Sequence, residues 1–197
     1  MITRRGYLRL FGQAAFVLGG LGLLSLIPSR EDSHTIRPPG AVDEAYFNFL
    51  CVRCGICLEV CPTGTIVLTG FENGPAAADT PKINPLISPC EFYRGRCEER
   101  MECIQQCPTG ALRQVEKEKV KLGTVSFDQD HCLAHQGQEC VVCSEMCPVP
   151  GIITVTKDLK PLFDLEKCVG CGTCVYSCPA IPKALTLLSD GATRVKW

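Results

Sequence analysis

Sixteen cysteines in a chain of 197 residues fall into four groups of four, and each group closes on Cys-Pro. The first is Cys51, Cys54, Cys57 and Cys61; the last is Cys168, Cys171, Cys174 and Cys178. Both read C-x2-C-x2-C-x3-C-P, a run suited to four thiolates around an iron–sulfur cube. The second group (Cys90, Cys97, Cys103, Cys107) and the third (Cys132, Cys140, Cys143, Cys147) are spaced irregularly. Three thiols on one tight loop with a fourth ahead of a proline fit a cube better than paired disulfides. Structural zinc is the alternative, although four-cysteine zinc sites usually come as two separated pairs. The expectation is four [4Fe–4S] clusters with all sixteen cysteines as ligands. For the wide second group, a three-iron cluster or none stays open, with Cys90 or Cys97 outside the ligand set.

The rest of the composition is quiet. Twenty basic and 21 acidic residues leave a net charge of −1, which gives no nucleic-acid footprint. Eight Phe, four Tyr and one Trp are a modest aromatic supply, so the clusters must serve partly as core. Folding is then coupled to metal insertion, and the apo chain should fold poorly. His131 and His135 flank Cys132, but the cysteine count is already complete, so both are read as supporting or surface residues. No Ser/His/Asp arrangement and no phosphate loop is present. The chain reads as an electron carrier without substrate chemistry, not as an enzyme.

Residues 3–9 read Thr-Arg-Arg-Gly-Tyr-Leu-Arg, similar to a twin-arginine export signal. The uncharged residues 10–29 follow, and twenty residues at about 1.5 Å each match a hydrocarbon core of about 30 Å. Residues 26–33 offer no small-residue cleavage site. Residues 1–29 are therefore expected to be a retained signal and membrane anchor. Arg4, Arg5 and Arg9 would stay cytoplasmic, leaving the cluster domain on the periplasmic face of the inner membrane. Removal of the segment is the alternative.

Residues 30–45 have no apolar period and read as a linker. The cluster domain is expected over residues 46–197. Each Cys-Pro is followed by a β-prone run, at residues 65–69, 111–115, 152–156 and 184–188. The approaches Phe127-Asp128 to Cys132 and Phe163-Asp164 to Cys168 align. A repeating unit of strand, cysteine loop, helical turn and returning strand emerges. Two units make a bacterial ferredoxin-like module, and four make two such modules in tandem, an α+β fold with short strands. Each short helix is expected to begin near the fourth cysteine, with proline in its first turn. Residues 70–81 read as a flexible insertion, and residues 91–102 and 116–121 as solvated charged loops.

In two-cluster ferredoxins the fourth cysteine of one motif ligates the other cluster. Pairing groups of like spacing puts Cys178 with Cys51, Cys54 and Cys57. It puts Cys61 with Cys168, Cys171 and Cys174; Cys147 with Cys90, Cys97 and Cys103; and Cys107 with Cys132, Cys140 and Cys143. Sequential pairing, one with two and three with four, is the alternative.

Five features stand together: the twin-arginine start, Ile36-Arg37-Pro38-Pro39-Gly40-Ala41, Cys51-Val52-Arg53-Cys54-Gly55, Cys107-Pro108-Thr109-Gly110-Ala111-Leu112 and the C-x7-C-x2-C-x3-C-P of group three. On these the chain resembles the ferredoxin-type proteins of the NapG/MauM kind. Group two departs from that family's shorter C-x2-C-x4-C-x3-C-P through residues 91–96. The resemblance implies four [4Fe–4S] clusters and electron passage from a membrane quinol-oxidising iron–sulfur partner to a periplasmic reductase of the nitrate reductase type. Two alternatives are an electron-transfer subunit of a molybdenum-type oxidoreductase and an assembly factor for a periplasmic redox enzyme.

Overall fold

The computed structural model describes residues 35–97 and 100–196. The expected signal and anchor, residues 1–29, lie outside the described residues. Among the described residues no helix is long and apolar enough to cross a bilayer.

Short elements dominate. In chain order they are α1 (Glu44–Leu50), α2 (Ile56–Glu59), β1 (Ile66–Leu68), β2 (Pro81–Ile83), α3 (Glu102–Gln105), β3 (Thr124–Phe127), α4 (Val142–Glu145), β4 (Ile153–Val155), β5 (Pro161–Phe163), α5 (Thr173–Ser177) and β6 (Leu185–Leu188). The strands form three two-stranded antiparallel pairs: β1 with β2, β3 with β6, and β4 with β5. This is the small α+β arrangement expected, and strands of three or four residues hold only because one face of each is buried. In β6, Leu185 and Leu187 point inward while Thr186 points out, the two-residue period of a half-buried strand. The core gathers Val42, Phe47, Phe92, Met101, Leu122 and Val175, all almost without exposed surface.

Three of the four returning runs are strands: β1, β4 and β6. The run at residues 111–115 is not. There Leu112 makes a single antiparallel bridge to Ala41, and Val42 bridges in parallel to Val195. The partner strand of this corner is thus supplied by the stretch before group one.

That stretch corrects the linker reading wherever the structure describes it. Arg37 is fully buried. Its guanidinium forks onto Glu44, donates to Thr80 Oγ1 at 2.6 Å and to the Pro81 carbonyl at 2.9 Å, and lies 4.4 Å from the ring centroid of Phe47. A buried charge without partners is prohibitively costly, so this one organises its surroundings. It binds the entering chain to α1 and to the end of the β1–β2 hairpin.

The expected flexible insertion at residues 70–81 is also packed. Thr69 and Thr80 are buried and hydrogen-bonded to one another, Ala77 and Ala78 are buried, and Arg53 donates to the carbonyls of Ala76 and Ala78. The charged loop at residues 91–102 is anchored by buried Phe92 and Met101. At residues 116–121, a 3-10 turn (Lys117–Lys119) keeps its lysines outside, while Val120 is buried and the Lys121 N–H donates to Thr193.

The helices sit one step earlier than expected. Each surrounds the third cysteine of its group (Cys57, Cys103, Cys143, Cys174) and stops before the fourth. The proline is the cause. Its ring disfavours helical backbone in the preceding residue, and Cys178, ahead of Pro179, is extended at φ −60° and ψ 122°.

Candidate functional site

Hairpin register decides which thiols meet. Pairing Ile66 with Ile83 brings Cys61, just before β1, to the same end as Cys90, just after β2. Pairing Ile153 with Phe163 does the same for Cys147 and Cys168, and pairing Phe127 with Leu185 does so for Cys132 and Cys178. The Ala41–Leu112 bridge carries Cys107 to the group-one loop.

The surroundings of the thiols agree. Cys51, Cys54, Cys57 and Cys107 line one cavity, and Cys57 feels the charges of the other three. Cys90 feels Cys103, Cys97 and Cys61. Cys174 feels Cys171, Cys168 and Cys147. Cys143 feels Cys132 and Cys140, and Cys178 packs with Cys132 and Cys140 in a second small cluster of buried side chains. Four sets result, each of three thiols from one group and the fourth from its neighbour in sequence. Set one is Cys51, Cys54, Cys57 and Cys107. Set two is Cys90, Cys97, Cys103 and Cys61. Set three is Cys132, Cys140, Cys143 and Cys178, and set four is Cys168, Cys171, Cys174 and Cys147.

This overturns the pairing of like spacings. Cys178 does not join Cys51, Cys54 and Cys57, nor Cys61 join Cys168, Cys171 and Cys174. Cys147 does not join Cys90, Cys97 and Cys103, nor Cys107 join Cys132, Cys140 and Cys143. Spacing describes the shape of one loop, whereas adjacency follows from the hairpin that joins consecutive groups. The wide spacing of group two does not disperse it: Cys90, Cys97 and Cys103 are all buried, beside Cys61.

The local chemistry fits thiolates held around a cationic core. Burial, then the neighbouring Cys51, Cys54 and Cys107, push the Cys57 thiol up to about 12. Burial, then Cys132 and Cys140, push Cys143 up to about 11. Four thiolates crowded this way repel unless positive charge sits among them. Four thiols in each set match in number the four iron corners of a [4Fe–4S] cube.

Two donated cysteines sit in a different cradle. Burial alone would raise Cys61 and Cys107, but local hydrogen bonds outweigh it and lower both. For Cys61 these come from the Thr63 hydroxyl and the N–H groups of Thr63, Thr65 and Ile66; for Cys107, from the N–H groups of Leu112, Thr109 and Gly110 and the Thr109 hydroxyl. The Thr hydroxyls lie 3.5 Å and 3.8 Å from the sulfurs. The turns after Cys61-Pro62 and Cys107-Pro108 therefore stabilise a thiolate.

Backbone conformation lets the cysteine loops turn tightly. Gly55 and Gly172, which begin α2 and α5, have φ of +77° and +78°, a region open to glycine at no steric cost. Met101 takes the same role ahead of α3 at φ +42°. His131 is half exposed and its Nδ1 lies 2.6 Å from Asp128 Oδ2; the ring of His135 stacks edgewise on Phe127. Neither histidine stands in for a thiol.

Comparison with known proteins matches this geometry. Residues 50–111, which hold groups one and two, match the 4Fe-4S dicluster domain family, and residues 159–180 match a 4Fe-4S binding domain. The methylamine utilization ferredoxin-type protein MauM of Methylophilus methylotrophus is 32% identical over 215 aligned residues, covering 100% of this chain and 92% of the relative. The ferredoxin-type protein NapG of Escherichia coli (strain K12) is 33% identical over 202 residues, covering 94% of this chain and 85% of the relative. NapF of the same organism is 30% identical over 154 residues, covering 76% and 84%. With thiol sets of this form and relatives this similar along almost its whole length, the chain belongs to the MauM/NapG family of ferredoxin-type iron–sulfur electron-transfer proteins.

Proposed function

We propose that the chain is a four-cluster electron relay on the periplasmic side of the inner membrane. It would take single electrons from a membrane quinol-oxidising iron–sulfur protein and pass them to a periplasmic reductase of the nitrate reductase type. The observation that carries this reading is the set of sixteen thiols, grouped four by four. A [4Fe–4S] cluster bound by each set supplies one-electron chemistry. The protein's part is to hold the thiolates, shield them, and set potentials through burial and hydrogen bonds to sulfur.

The location rests on Arg4-Arg5, the uncharged residues 10–29 and the missing small-residue cleavage site. The partners rest on the relatives: NapG and NapF support a nitrate reductase setting, while MauM is named for methylamine utilization.

The test is an anaerobic pull-down from native membranes in mild detergent, using a C-terminal tag. A multi-span quinol-oxidising protein in the eluate, with quinol reducing the clusters, supports the relay. A lone chain, or one bound only to an immature apo-enzyme, refutes it in favour of an assembly factor.

A further inference from the structure

Two dicluster modules in one body must meet somewhere, and the place of meeting fixes the order of the thiol sets in space. Set two lies in the first module and set four in the second. The N–H of Cys90 donates to the carbonyl of Cys171 at 2.9 Å, so a backbone group of one set's ligand touches that of the other. The contact is close beside it too: a Cβ at Gly172 would stand 2.7 Å from Cβ of Pro85. A cleft of about 390 Å³ beside them is shared by Pro89 and Arg94 from the group-two loop and by Cys147, Thr173 and Tyr176 from the second module.

Inside the modules the neighbours are clear. Helix α2 packs on α3, with Cys57 in electrostatic reach of Cys103, so sets one and two adjoin. Helix α4 packs on α5, with Cys143 in reach of Cys174, so sets three and four adjoin. Among the described residues no backbone hydrogen bond joins the set-one loop, residues 51–57, or the set-three loop, residues 132–143, to the other module.

We infer that the four thiol sets are laid out in the order one, two, four, three, with the Cys90–Cys171 peptide contact as the seam between modules. This order differs from the order along the chain, and it rests on the reading that each set carries a cluster. It makes sets one and three the two ends. The ends are unlike. Cys54 in set one is the exposed thiol among the sixteen. At the other end Cys178 is half-buried, and three residues on Ile181 is almost fully exposed. A one-electron partner would meet the Cys54 face at one end and the Cys178–Ile181 face at the other.

The test is electron paramagnetic resonance on the full, loaded chain, titrated anaerobically with dithionite. Cys54→Ser, Cys90→Ser, Cys140→Ser and Cys168→Ser each keep an oxygen ligand and shift the signal of one set, which labels it. The expected result is magnetic broadening between one and two, two and four, and four and three. Where a serine variant loses its cluster, the lost broadening of its neighbours reads the same adjacency. Broadening between one and three, or between two and three with four still oxidised, overturns the order. Hydrogen exchange on the same sample gives a reading independent of the spins: the Cys90 amide should be protected, and rapid exchange there overturns the seam. Fewer than four reducible signals in the unmodified chain refutes the four-cluster reading. Four signals with the wrong neighbours refutes only the order.

Discussion

The guanidinium of Arg37 and the carboxylate of Glu44 close on each other seven residues apart, one side chain fully buried and the other half exposed. The pair turns a proline-rich entry segment into part of the first module. The same guanidinium satisfies Thr80 and the Pro81 carbonyl, so its loss orphans acceptors as well as a charge. Arg37→Ala should cost about 3 kcal/mol of stability in the loaded protein. Arg37→Lys should recover only part, since an ammonium lacks the planar fork. Denaturant midpoints of the anaerobic protein, followed by visible absorbance, check both.

Removing a donated cysteine should injure the neighbouring group rather than its own. Cys61→Ala is expected to abolish the signal of the set that holds Cys90, and Cys178→Ala that of the set that holds Cys132. Pairing by like spacing demands instead that Cys61→Ala strike the set of Cys168. Iron content and resonance spectra of the two variants decide between them.

The hydroxyl of Thr63, 3.5 Å from Cys61 Sγ, favours added negative charge on the set that holds Cys61. Thr63→Val should lower the potential of that cluster by about 40 mV at most, the electrical equivalent of a hydrogen bond worth about 1 kcal/mol. Thr109→Val should act more weakly on the set of Cys107, because its contact is longer, at 3.8 Å. Potentiometric titration reads both changes.

Chelation of iron should collapse both modules. Helices α2, α3 and α4 are four residues long and α5 is five, far below the length at which a helix persists unaided. Far-ultraviolet circular dichroism after anaerobic chelation should therefore lose most of its helical signal, and return of iron, sulfide and reductant should restore it.

Much of this was legible in sequence because cysteine spacing and strand-like runs are local signals. β1, β4 and β6 fall within the runs after Cys-Pro, and β3 and β5 end at the aligned phenylalanines Phe127 and Phe163. What failed was non-local. Nothing in the pattern of residues 35–42 announces that Arg37 is buried, since its partners lie 7 and 43 residues away. Residues 70–81 carry the glycines and prolines of a free loop, yet Thr69, Ala77 and Thr80 are buried, by contacts that composition does not reveal. Thiol pairing follows hairpin register, which the spacing within a loop does not encode. Helix position follows from proline acting on the residue before it, which makes it a stop and not a start.

The exchange of Cys61 and Cys107 has a topological meaning. With a cube in each set, the loop of group one and the loop of group two are each tied to the other's returning turn, so the first module is a closed ring of chain and metal. A protease that cuts the β1–β2 connection near Gly74 would leave two pieces still fastened by two inorganic rivets. Such a nicked protein would migrate whole on a native gel and come apart only when its iron was taken away.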